Sequence, residues 1–68
     1  MTPEEIFQLI IKADEKLKYA TGGNEDVRRG QAADLLREAL TEALAIGNEG
    51  LVRQAEVRLA DLGEAPKP

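Results

Sequence analysis

A chain of 68 residues makes one small domain, near the lower size at which a hydrophobic core sustains itself. It holds no cysteine and no histidine, which excludes disulfides, thiolate metal sites, cysteine nucleophiles and imidazole acid–base chemistry. Thirteen acidic residues against nine basic ones leave a net charge of −4, so the broad basic footprint of a nucleic-acid binder is missing and no nucleic-acid partner is expected. A domain of this size without staples depends on efficient helix packing, on a partner, or on a second copy of itself.

The chain opens with MTPEEI, a strong helix start. Thr2 is placed to cap, Pro3 suits the first helical position, and Glu5 stands three residues after Thr2 to close a capping box. Ile6, Leu9, Ile10, Ala13, Leu17 and Ala20 then recur at helical spacing, which predicts a first helix over residues 3–20. Asp14 and Lys18 stand four apart in the favourable order for a pair along that helix. Thr21-Gly22-Gly23 should end it.

Asn24, followed by Glu25 and Asp26, has the form of an N-cap with acids on the positive end of the helix dipole. The second helix is predicted over 25–46, with Gly30 weakening its first turns. Its apolar face is wide: Ala32, Leu35, Leu36, Ala39, Leu40, Ala43, Leu44 and Ile46. A face that broad fits a central helix with a neighbour on each side. Gly47 should terminate it, and Asn48 should cap a third helix over 49–62 whose narrower face is Leu51, Val52, Ala55, Leu59 and Leu62. Gly63 closes the domain at residues 1–63, leaving 64–68 as a flexible tail. The fold class expected is all-α, a three-helix up-down-up bundle.

Gly-Asn-Glu occurs twice, at Gly23 and at Gly47. Both copies read as punctuation, in which glycine stops one helix, asparagine caps the next and the acid complements the dipole. A duplication is the other reading, because Gln31-Ala32 and Gln54-Ala55 follow at nearly equal offsets. TGGNED is not a phosphate loop: it lacks the Gly-Lys-Ser/Thr sequence, and its two acids would repel the ligand.

Nothing in the chain assembles into catalytic machinery. Hydroxyls are limited to Thr2, Thr21, Thr41 and Tyr19, and the acidic pairs are sequence neighbours that diverge by about 100° on a helix. The expectation is a protein that is not an enzyme and holds neither cofactor nor metal. The longest apolar run, Leu9-Ile10-Ile11, is far short of a membrane span, and MTPEEIF has no basic leader region. A cytoplasmic protein without a membrane partner is therefore expected.

Two sets of residues on the first helix are candidates for partner binding. Phe7 and Ile11 flank the main stripe; either they widen the buried face towards the third helix, or they form an exposed edge for a partner helix or for self-association. Val57 and Ala60 extend the same kind of surface on the third helix. Lys12, Lys16 and Tyr19 align at i, i+4 and i+7, with Arg28 and Arg29 following, either as a solvated cationic face or as a site for an acidic peptide.

The run QAADLLREALTEALAIGNEGLVRQAEVRLADLGE, residues 31–64, resembles tetratricopeptide-repeat sequence. Ala32, Leu36 and Ala39 match the small-large-small spacing of that repeat's second helix, and Leu59-Ala60 resembles the large-small pair of the next first helix. The aromatic signature positions and the closing proline are absent, and the link between the first two helices is longer than the repeat of about 34 residues permits. The resemblance implies a helical scaffold that binds a peptide or helix of another protein, in a groove between the first and third helices. The alternative is a homodimer that buries the apolar edge of the first helix. A regulator acting on nucleic acid is disfavoured by the acidic balance.

Overall fold

The computed structural model of the protein describes residues 1–20 and 22–63; the expected tail, 64–68, and Thr21 lie outside them. Three helices make up the fold: α1 over Pro3–Lys18, α2 over Glu25–Ala45 and α3 over Glu49–Asp61, with a short 3-10 turn at Gly22–Asn24. No strand occurs among the described residues.

The start of α1 forms as its sequence dictates. The Glu5 amide donates to Thr2 Oγ1 at 3.2 Å while the Thr2 amide donates to Glu5 Oε1 at 2.9 Å, a complete capping box with Pro3 behind it. Hydrogen bonds to the carboxylate from the Thr2 backbone N–H first and the Thr2 hydroxyl second hold the Glu5 carboxyl below its ordinary value of 4.5. The helix ends at Lys18, two residues earlier than expected, with Tyr19 as C-cap.

The two Gly-Asn-Glu copies differ. At the second, Gly47 has φ +68°, its amide donates to Leu44 O at 3.1 Å, and the Asn48 amide donates to Ala43 O at 2.9 Å. This is a Schellman closure of α2. Asn48 Oδ1 then accepts from the Leu51 amide at 3.1 Å and caps α3. At the first copy the left-handed residue is Gly22, at φ +65°, rather than Gly23. Asn24 sits at φ −104°, ψ 7° at the end of the 3-10 turn and makes no side-chain cap to α2. The expected cap at Asn24 is therefore corrected: an N-cap needs an extended backbone to aim its side chain at the first free amides, and the 3-10 turn denies it one.

Long-range polar contacts set the directions of the helices. The Met1 amino group lies 3.9 Å from Glu42 Oε1, which brings the start of α1 to the end of α2. Arg29 Nη2 donates to Leu62 O at 3.0 Å, joining the start of α2 to the end of α3. Both neighbouring pairs are thus antiparallel, and the order is up-down-up. Helix α2 is central: α1 and α3 pack on it extensively and on each other much less. The molecule measures 38 × 24 × 13 Å, nearly twice as wide as it is thick, as expected when the outer helices flank α2 instead of closing a tight triangle.

The core comprises Ile6, Ile10 and Ala13 from α1, Ala32, Ala33, Leu36, Ala39 and Ala43 from α2, and Leu51, Ala55 and Leu59 from α3. Helix α2 contributes four alanines and one leucine, so its neighbours approach closely and supply most of the bulk. The buried face of α2 is shifted from the expected one. Ala33 is buried, while Leu44 is 62% exposed and Ile46 is exposed as well. The chain reverses at Gly47 directly after them, and α3 begins with Glu49 and Gly50, both exposed, which offer no apolar cover. The expected Asp14–Lys18 pair is likewise corrected. Asp14 instead receives Arg58 Nε from α3, at 3.0 Å to Oδ1 and 3.2 Å to Oδ2. Lys18 Nζ lies over the Tyr19 ring, 5.6 Å from its centroid.

Candidate functional site

Helical geometry divides α1 into three rows, and each meets a different environment. Ile6, Ile10, Ala13 and Leu17 face the core. Phe7, Ile11, Asp14 and Lys18 form a second row at spacings of four, three and four. Asp14 in this row reaches Arg58 of α3, so this flank of α1 lies toward α3. Lys12, Lys16 and Tyr19 form a third row, which lies beside Arg28 and Leu35 of α2. The two candidate sets therefore lie on different flanks of α1, Phe7 and Ile11 toward α3 and Lys12, Lys16 and Tyr19 beside α2.

The first surface is the seam between α1 and α3. Phe7 is 41% exposed, and Ile11 is half-buried without joining the hydrophobic core. On α3, Val57 and Ala60 are exposed too, but helical spacing puts Val57 opposite the packed Leu51, Ala55 and Leu59, so the apolar edge at the seam belongs to α1. The Asp14–Arg58 pair bridges the seam and Arg58 Nη1 also donates to Gln54 O at 3.2 Å, so the bridging guanidinium is held in place. The seam thus carries apolar side chains in contact with water and one fixed ion pair.

The second surface is an open depression of about 370 Å³ between α1 and α2, lined by Lys12, Glu15, Lys16, Tyr19, Arg28 and Leu35. It adjoins a second hollow formed by Lys16, Gln31, Asp34, Leu35 and Glu38. Lys16, Arg28 and Leu35 are half-buried, so the two cations lay their stems against the protein and hold their charged ends at its surface. Among the described residues neither Lys12, Lys16 nor Arg28 has an ion-pair partner, although Asp14 and Asp34 each have one elsewhere. Arg29 parts from this set and serves the C-terminus of α3 instead.

The periodicity of α1 made the line of Lys12, Lys16 and Tyr19 visible in sequence; Leu35 was missed as its neighbour, though its i, i+7 spacing from Arg28 is a signal that puts the two on one side of α2. That the two lines meet depends on how α1 is rotated against α2, which no local signal encodes. Among the described residues no group of three acidic side chains is placed to hold a metal ion, and no polar side chain is buried. No described helix is long and apolar enough to cross a membrane.

The fold and these surfaces define a small all-α three-helix protein built on an antiparallel helical hairpin. No family model, curated protein or solved structure matches the chain.

Proposed function

We propose that the protein is a non-enzymatic interaction module whose α1–α3 seam docks the apolar side of a partner protein's helix. The observation that carries this reading is Phe7: an aromatic side chain, 41% exposed, next to half-buried Ile11 along a seam that the two outer helices leave open. An amphipathic partner helix would cover Phe7 and Ile11 and set its own polar residues against the Asp14–Arg58 pair. Charge at that pair favours one register over others more than it adds affinity. The tetratricopeptide-like reading belongs here as well. Its support is the hairpin of α1 and α2 followed by α3, together with the burial of Ala32, Leu36 and Ala39 on the packed face of α2.

The test replaces Phe7 and Ile11 with serine, singly and together, in the full chain. Helicity should persist, because neither residue belongs to the core cluster, while capture of a specific partner is lost. A light-scattering mass measured in parallel identifies the occupant: a monomeric parent supports a foreign helix, and a dimeric parent that becomes monomeric on substitution replaces that reading with self-association. Unchanged capture and unchanged mass in the double variant would refute the seam.

A further inference from the structure

We propose that the depression between α1 and α2 is a second, separate site, which takes an extended acidic peptide segment presenting two carboxylates and an apolar residue on one side. It lies on the opposite flank of α1 from the seam, and it stands whether or not the seam docks a helix. Three cations border the depression against the single carboxylate of Glu15, and none of the three is paired among the described residues. In a chain of net charge −4, such a concentration of unpaired positive charge is a local exception. A carboxylate brought to Lys or Arg exchanges hydrating water for a charge-assisted hydrogen bond.

The spacing selects the ligand. Lys12 and Lys16 stand one turn apart, about 6 Å along the helix. Alternate residues of an extended peptide project to the same side about 6.8 Å apart. Acids at the first and third positions of an extended segment therefore meet Lys12 and Lys16 together. An apolar residue at the fifth position, on the same side and about 6.8 Å beyond the second acid, finds half-buried Leu35 and the Tyr19 ring, and Arg28 extends the cationic wall to the end where Tyr19 stands. A polyanionic nucleic-acid backbone fits poorly, because Asp34 and Glu38 line the adjoining hollow and would face its next phosphates. A lone inorganic anion would engage the lysines but leave Leu35 and Tyr19 uncovered.

The experiment is fluorescence anisotropy on the full chain with a labelled peptide containing a glutamate–serine–glutamate–serine–leucine core. The peptide should bind, and binding should weaken as salt rises, since contacts at exposed charges are screened within about 10 Å at 0.1 M. Lys12→Gln combined with Lys16→Gln should weaken it about tenfold, with helicity unchanged. The same peptide with both glutamates changed to glutamine should bind comparably poorly to the parent, and the Phe7→Ser, Ile11→Ser variant should bind the acidic peptide as the parent does. Equal binding of the glutamate and glutamine peptides, no binding at millimolar peptide, or an unaltered affinity in the double lysine variant would each overturn the proposal. So would tighter binding of inorganic phosphate or of an RNA oligonucleotide than of the peptide.

Discussion

Asn48 and Asn24 occupy the same place in two copies of one tripeptide and do different work. Asn48 accepts the Leu51 amide from an extended backbone, so Asn48→Ala should destabilise the protein by about 0.5–2 kcal/mol in urea unfolding. Asn24 makes no such cap to α2, so Asn24→Ala tests its other interactions and not a helix cap. Glu5 supplies a pH handle at the same scale. Its folded value lies below the ordinary 4.5, so its contribution is fully present above that pH and is lost as pH falls through the lowered value. Melting temperatures followed downward from neutral pH should decline in that acid window, and Glu5→Gln should remove part of the decline. The sequence displayed both caps equally; it did not display the 3-10 turn that turns Asn24 aside, because that turn depends on how two helices are joined.

At the scale of the helices, the ends were legible because they are written in local chemistry: Thr2, Pro3 and Glu5 at one start, Gly47 and Asn48 at the central turn, Gly63 at φ +78° after α3. The orientation of α2 about its axis was less legible. Alanine is small enough to sit on either side of an apolar boundary, so Ala33 gave no sign of its burial, and Leu44 gave no sign that α3 leaves it uncovered. Leu36 is the one large fully buried side chain of α2, and its truncation to alanine should cost about 2–4 kcal/mol. A melting curve that matches the parent would show that α2 is not the centre of the fold. Gly30 lies within α2 with helical backbone and nothing within 4 Å of where a Cβ would sit. Gly30→Ala should therefore stabilise by about 0.5–1 kcal/mol through helix propensity, and a loss of stability would expose a packing role for the bare backbone there.

For the whole molecule, the flattened arrangement is what gives α1 two working flanks. Had α1 and α3 closed a tight triangle, Phe7 and Ile11 would have been buried between them; with α2 in the middle, the seam stays open at the surface. The residues of the candidate site were legible one row at a time, since i, i+4 and i+7 fix which side chains share a flank. Which helix each row faces was not, because that depends on how the helices pack, and only contacts such as Asp14 with Arg58, 44 residues apart, decide it. The central claim is that the α1–α3 seam is where a partner helix docks. The most direct measurement is amide chemical-shift mapping of the isotopically labelled full chain as its captured partner is added. The account predicts that the largest changes follow Phe7, Ile11 and Asp14 on α1 and Gln54 and Arg58 on α3, while the Leu44 end of α2 stays unchanged. Changes centred on Leu44 and Val52, with the Phe7 row silent, would contradict it.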